Sequence, residues 1–212
     1  MDIFHATYGF ELSHLEGLVA RLDFAELAHG ETRLARVLAP AEKVRLSRLG
    51  GRARLRCLAA MALARSELGE RLSLAPEDVP LSRTTHGKPV LDPECDLHFN
   101  LAHSGEHLLF AVASRAPIGV DIETTARAPE SVIRRFPADE QAALARLREP
   151  ARRRAFGRLW AAKEACIKCR GRGGSISSVE VSLEQEGRWR DVAWERIELD
   201  RNISGVIAMQ VG

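Results

Sequence analysis

Ten residues, Leu159-Trp-Ala-Ala-Lys-Glu-Ala-Cys-Ile-Lys168, constrain this chain more than any other stretch. Counted from Trp160, residues Lys163, Glu164, Ile167 and Lys168 fall three, four, seven and eight positions on, the spacing of one helical face. A face built only for packing would be mostly Leu, Ile, Val and Ala. This one carries an indole, a carboxylate and two ammonium groups. A Glu164–Lys168 pair on a solvated helix edge is worth only about 0.2–0.5 kcal/mol, and charged helix faces are common. What gives the face weight is a second acidic stretch upstream, Gly119-Val-Asp-Ile-Glu123, which reads as a strand.

In that strand the pleat sends Val120 and Ile122 to one side and Asp121 and Glu123 to the other. The two carboxylates then sit about 7 Å apart on a common surface. Like charges held so repel each other unless a cation lies between them. A hard divalent cation such as Mg²⁺ takes oxygen ligands and shares them between carboxylates and phosphate. Glu164 could supply a third oxygen, and Lys163 and Lys168 could neutralise phosphate. By itself, an Asp-x-Glu is more often the polar outer face of an edge strand.

The rest of the chain alternates strands and helices. Asp2 to Tyr8 reads as a first strand, and Leu12, Leu15, Leu18, Leu22 and Leu27 predict a helix over 11–29. Pro40 opens a short helix to about Leu49, broken by Gly50-Gly51. Arg52 to Leu72 is the strongest helix of the first half, with Arg56 free to point away from the core. The turn-rich stretch from Leu81 to Cys95 puts Lys88 on an exposed turn. In Phe99-Asn-Leu-Ala-His-Ser-Gly105, His103 suits a ligand contact or a packed structural histidine equally. His107–Ser114 and Ile118–Glu123 read as two strands of a hairpin, turned at Ala116-Pro117.

Ser131 to Arg148 is helical with a break near Pro137, and Arg152 to Lys168 is one long helix. Gly171-Arg-Gly-Gly174 ends it. Val179–Glu184, Arg188–Arg196 and Ile203–Val211 finish as a β-meander turning at Glu186-Gly187. A strand, helices and a hairpin thus occur twice. The pattern predicts an α+β fold of two similar halves, 1–115 and 116–212, joined near Ala116. Arg56-Cys-Leu-Ala-Ala-Met61 is faintly echoed by Arg158-Leu-Trp-Ala-Ala-Lys163.

A net charge of +2 over 212 residues sets up no global field that demands a polyanion. Arginines crowd two stretches, between Arg33 and Arg56 and between Arg146 and Arg158, which suits a phosphorylated ligand or an acidic protein. Aromatics make up only 5% and no recognition pattern appears, which argues against nucleic acid. No apolar run approaches the roughly 18 residues that span a bilayer, and the start lacks a signal-like segment, so a cytoplasmic protein is expected. The four cysteines are then free thiols. Cys166-Ile-Lys-Cys169 lies within the helix, and no nearby Cys/His pair completes a zinc site.

Gly87-Lys88-Pro89, Phe99-Asn-Leu-Ala-His-Ser104, Gly119-Val-Asp-Ile-Glu123 and Trp160-Ala-Ala-Lys-Glu-Ala-Cys-Ile-Lys168 resemble, in order and approximate spacing, the motifs of the Sfp-type 4′-phosphopantetheinyl transferases. The resemblance runs from about Pro40 to Lys168. It implies a pseudo-dimer of two α+β halves with the active site at their interface. It also implies transfer of the phosphopantetheine arm of coenzyme A to a serine of an apo acyl, polyketide or peptidyl carrier protein, leaving 3′,5′-ADP. By the family pattern Asp121, Glu123 and Glu164 would hold Mg²⁺ or Mn²⁺, and Lys168, with Lys163 beside it, would meet phosphate. Lys88, His103 and Arg56 would bind the nucleotide end, with Lys43 or Arg45 contributing. Arg135-Phe136 followed by Pro137-Ala-Asp-Glu140 resembles a further element that would make Glu140 a candidate base beside Glu164 or a water.

Ala102 stands where the family usually has Ser, which predicts the loss of one hydroxyl contact worth about 0.5–1.5 kcal/mol. A monomer is expected, since two halves already flank the site. The same carboxylates could instead serve a Mg²⁺-dependent nucleotide phosphohydrolase, or a module that binds coenzyme A or a carrier protein without catalysis.

Overall fold

The computed structural model describes residues 4–12, 15–92, 95–124, 129–171, 173–197 and 199–211, with side chains from residue 15 onward. The first part of the chain runs β1 (Phe4–Leu12), β2 (Leu15–Leu22), α1 (Phe24–His29), α2 (Glu31–Leu34), α3 (Pro40–Ser47) and α4 (Gly51–Leu72). A small hairpin, β3 (Leu81–Arg83) and β4 (Pro89–Leu91), leads to β5 (Leu97–Ser104) and β6 (His107–Ser114). The second part runs β7 (Ile118–Thr124), α5 (Glu130–Ile133), α6 (Ala138–Ala145), α7 (Ala151–Arg170), β8 (Glu186–Trp189), β9 (Val192–Ile197) and β10 (Ile203–Gln210). The α+β class is as expected.

The apolar run of β6 explains the architecture. Leu108, Phe110 and Val112 face α4 and pack with Leu58, Leu68 and Phe99. Leu109, Ala111 and Ala113 face the other way, onto Ile118, Val120, Ile122 and Ile207 of the second part. A strand covered on both faces needs no polar alternation, and this one has none. Truncating a residue at its centre, such as Phe110 to Ala, would cost about 3–5 kcal/mol.

Two four-stranded antiparallel sheets result, of order β1-β2-β6-β5 and β7-β10-β9-β8. Each is backed by one long helix, α4 on the first and α7 on the second. In both, a strand leads through helices to a hairpin whose last strand returns beside the first: β6 beside β2, and β10 beside β7. The helix ends match expectation. Gly50-Gly51 opens α4, with Gly51 at φ +51, and Gly171 closes α7 in the left-handed region at φ 64.

Three expectations fail. Residues 15–22 form strand β2, not part of a helix, because Leu15 and Val19 are needed in the core shared by the two sheets. β6 and β7 do not pair: β6 lies between β2 and β5, while β7 pairs with β10, so Ala116-Pro117 carries the chain from one sheet to the next. The final meander turns at Arg190-Asp191, with Arg190 at φ 55, while Glu186-Gly187 lies within β8 and 179–184 is not a strand.

Candidate active site

Gly119 sets the distance between β7 and α7. A Cβ built there would lie 2.1 Å from the carbonyl oxygen of Ala165 and 2.2 Å from the amide nitrogen of Cys169. Both are helix backbone atoms, which no rotamer change can move aside. With hydrogen in place of a side chain, the helix lies directly on the strand. Asp121 and Glu123 share the Gly119 side of β7, and Glu164 and Lys168 come from the helix pressed against it.

Lys168 Nζ donates to Asp121 Oδ1 at 2.6 Å. Asp121 is buried, and its Oδ2 has no hydrogen-bond partner among the described residues. Burial pushes its pKa up to about 7; Lys168 pulls it down, and the charges of Glu123 and Glu164 raise it further. Half-buried Glu123 accepts from Ser104 Oγ at 3.1 Å. Its pKa is also raised, chiefly by burial, against the opposing pull of Ser104 and Lys168. The charges of Glu123 and Glu164 thus both bear on Asp121. Among the described residues no group of three or more His, Cys, Asp or Glu is gathered as a metal cluster, and Lys168 holds Asp121 instead.

Residues of the first sheet contact this junction. Ser104 Oγ also accepts from Thr124 N at 3.2 Å, and Asn100 Oδ1 accepts from Val120 N at 2.7 Å within the buried seam. The sequence assigned neither residue a role; their place in Phe99-Asn-Leu-Ala-His-Ser104, alternating along β5, was the available signal. His103 stands exposed beside them, its pKa lowered by loss of solvent and by the positive charges of Arg56 and Lys168. Arg56 donates to the carbonyl of Gly105 at 3.3 Å, so it reaches the β5–β6 turn.

Lys88 is half-buried and not on an exposed turn. Its ammonium donates to the carbonyls of Ile118 and Lys168, each at 2.8 Å, and burial lowers its pKa. It ties the hairpin of the first part to both β7 and the end of α7. Lys43 and Arg45 are exposed on α3, where Arg45 lies near Arg83 and adds to the burial that lowers the pKa of Arg83.

Lys163 and Glu140 depart from expectation. Lys163 is 0% exposed, and its ammonium donates to Glu140 Oε1 at 2.8 Å and to the carbonyl of Val179, over the Phe136 ring. Glu140 also accepts from Val181 N at 3.0 Å. The two charges are locked inside the fold, facing neither phosphate nor an attacking serine. Ala102 packs its methyl in the shared core with Val120 and Ile122. Beside Glu123 opens a cleft of about 290 Å³, lined by Thr124, Val132, Phe156 and Trp160.

Known proteins place this arrangement. The family model described as the 4′-phosphopantetheinyl transferase superfamily matches residues 117–203, from the start of β7 to the start of β10. The chain is 37% identical over 138 residues to the 4′-phosphopantetheinyl transferase psf-1 of Bacillus pumilus, covering 63% of this chain and 58% of that protein. It is 34% identical over 136 residues to the 4′-phosphopantetheinyl transferase Sfp of Bacillus subtilis, covering 63% and 60%. These two matches span less than two thirds of the relatives' own length. The 4′-phosphopantetheinyl transferase HetI of Nostoc sp. is 32% identical over 168 residues, covering 74% of this chain and 71% of HetI. With Asp121, Glu123, Glu164 and Lys168 brought together inside the matched region, the chain belongs to the 4′-phosphopantetheinyl transferase superfamily.

Proposed function

We propose that this chain is a Mg²⁺-dependent transferase that moves the 4′-phosphopantetheine arm of coenzyme A to a serine of an apo carrier protein, releasing 3′,5′-ADP. The observation that carries the reading is the junction of β7 and α7, where Lys168 meets Asp121 with Glu123 and Glu164 alongside. The reading also takes the chain as two related halves, 1–115 and 116–212, with the site between them, working as a cytoplasmic monomer. The matching strand–helix–hairpin order and the contacts of Ser104 with Glu123 and Thr124 support it.

The donor set suits a hard divalent cation: all three side chains offer oxygen, and Asp121 Oδ2 lacks a partner. When bound, the ion would polarise the phosphoryl oxygens and neutralise charge on the leaving ADP. Lys168 would exchange its hold on Asp121 for a phosphate oxygen and stabilise the same charge. Arg56, His103 and Lys88, all from the first half, would hold the nucleotide end. The serine Oγ forms a bond to the β-phosphorus while the bond from that phosphorus to the bridging oxygen breaks. Serine is a poor nucleophile near neutral pH and needs a base. Glu164 takes that proton, directly or through water, since Glu140 is committed to Lys163.

Intact-mass spectrometry of several apo carrier proteins, incubated with the chain, coenzyme A and Mg²⁺, tests the reading. One added phosphopantetheine, lost with EDTA, is expected. Phosphate release without any carrier modification would identify a phosphohydrolase instead. Coenzyme A binding with no transfer to any carrier would leave only a binding module.

A further inference from the structure

Two arginines of the described chain are almost wholly buried, and they are satisfied differently. Arg65 donates from Nε to Glu42 at 2.6 Å and from Nη1 to the carbonyls of Pro76, Glu77 and Val79. Its charge has a carboxylate and its hydrogens have acceptors. Arg196, only 6% exposed, has no carboxylate within ion-pair distance among the described residues. Nη1 donates to the carbonyl of Arg158 at 3.1 Å and Nη2 to that of Ser182 at 2.6 Å, while Nε has no partner among the described residues. The guanidinium lies over the Trp194 ring, 4.9 Å from its centroid. An arginine cannot shed its proton to escape such a setting. A buried charge without a counter-charge is costly.

The surroundings deepen the imbalance. Arg196 lines a cleft of about 390 Å³ together with Arg154 and Arg158 from α7 and Arg201 from the β9–β10 connection. Among the described residues, Asp200 is the one carboxylate in the lining. Burial, with the charge of Arg158 added, pushes the pKa of Arg196 down to about 10, against a smaller opposing pull from the Glu184 carboxylate. Four guanidinium groups against one carboxylate among the described residues suit the cleft to an anionic ligand. Guanidinium forks match phosphate oxygens two at a time. Apolar Ile197 and Ile203 line the same cleft, which suits an ester with an apolar portion better than a bare ion.

We propose that this cleft binds a phosphate monoester, at a site distinct from the carboxylate–lysine cluster of residues 121, 123, 164 and 168. The site needs no carrier protein and no metal, so it stands or falls independently of the transferase reading. The full chain is titrated calorimetrically with inorganic phosphate and with phenyl phosphate in chloride buffer at constant ionic strength. Trp fluorescence is followed in parallel, since an anion at Arg196 sits against Trp194. Saturable binding of both is expected, phenyl phosphate being the tighter. Arg158→Ala and Arg201→Ala, changes at less buried positions, should each weaken it about tenfold, and Lys168→Ala should leave it in place. Loss of binding in Lys168→Ala but not in the arginine variants would overturn the proposal. So would the absence of saturable binding, or binding of inorganic phosphate with none of the ester.

Discussion

Two lysine–carboxylate pairs stand five residues apart on α7 and have opposite surroundings. Lys163 and Glu140 are sealed: the lysine is 0% exposed, and both partners find further acceptors or donors in the 176–181 segment. Lys168 and Asp121 are open on the lysine side: its side chain is 31% exposed, and it holds Asp121 by Oδ1 alone among the described residues, whereas Lys163 lies 2.8 Å from Oε1 and 2.7 Å from Oε2 of Glu140. Five residues turn a helix through about 500°, which leaves the two side chains about 140° apart. One therefore leaves toward α6 and the other toward β7. The chemistry of the pairs is the same; their access to solvent and to a third group is not. A closed pair fixes a fold, while an open one can exchange partners.

The strongest way to break the contrast is to remove one member of the sealed pair. Lys163→Met should lower the unfolding free energy by about 3–5 kcal/mol, because Glu140 is left buried without its counter-charge. Adding Glu140→Leu should recover much of that loss, and urea denaturation of single and double variants measures both. A single variant as stable as the parent would mean that the pair holds nothing. At the open pair the damage should fall on activity instead. Asp121→Ala should cut carrier modification about 100-fold or more with the fold retained. A near-normal rate with coenzyme A and Mg²⁺ would remove Asp121 from the site.

A subtler difference concerns pH. Folded Asp121 titrates at about 7, above its ordinary carboxyl value near 4. Between those values the folded state holds the proton more tightly than the unfolded one. Stability present at the acid end is therefore lost as pH rises through about 7. In EDTA, the urea midpoint of the parent should fall across this range relative to that of Asp121→Asn; parallel profiles would contradict the raised value. The smallest effect is expected at the thiols behind the helix. Burial pushes Cys166 up to about 12 and Cys169 up to about 11. A thiol reagent should therefore label half-buried Cys57 and Cys95 first. Rapid labelling of Cys166 in the folded chain would show that this side of α7 opens.

The long helices were legible because their apolar periodicity and bounding glycines agree, Gly50-Gly51 opening α4 and Gly171 closing α7. The acidic strand was legible from its alternation, although all of Ile118 to Ile122 is buried. Leu15–Leu22 misled because leucines spaced by three and four fit a helix, and only the need to cover β6 decides for a strand. The absent β6–β7 hairpin shows a similar limit: nearness in sequence cannot reveal that a turn changes sheets. Lys163 was misplaced because a face wide enough to include both lysines is already too wide to share one neighbour. Two arginines of the cleft, Arg154 and Arg158, lie in the 146–158 stretch that suited a phosphorylated ligand, but nothing in the sequence marked Arg196 and Arg201 or joined them to it.

Gly119 carries a consequence for heredity as much as for chemistry. Any replacement of this glycine by another amino acid adds at least a Cβ here, and that carbon would strike the backbone of α7. The helix would have to ride outward, taking the reach of Lys168 toward Asp121 with it. Mutational drift at this position is thus closed by geometry before any loss of a reacting group. The smallest residue of the chain works as its gauge block, setting the gap to which the larger side chains are fitted.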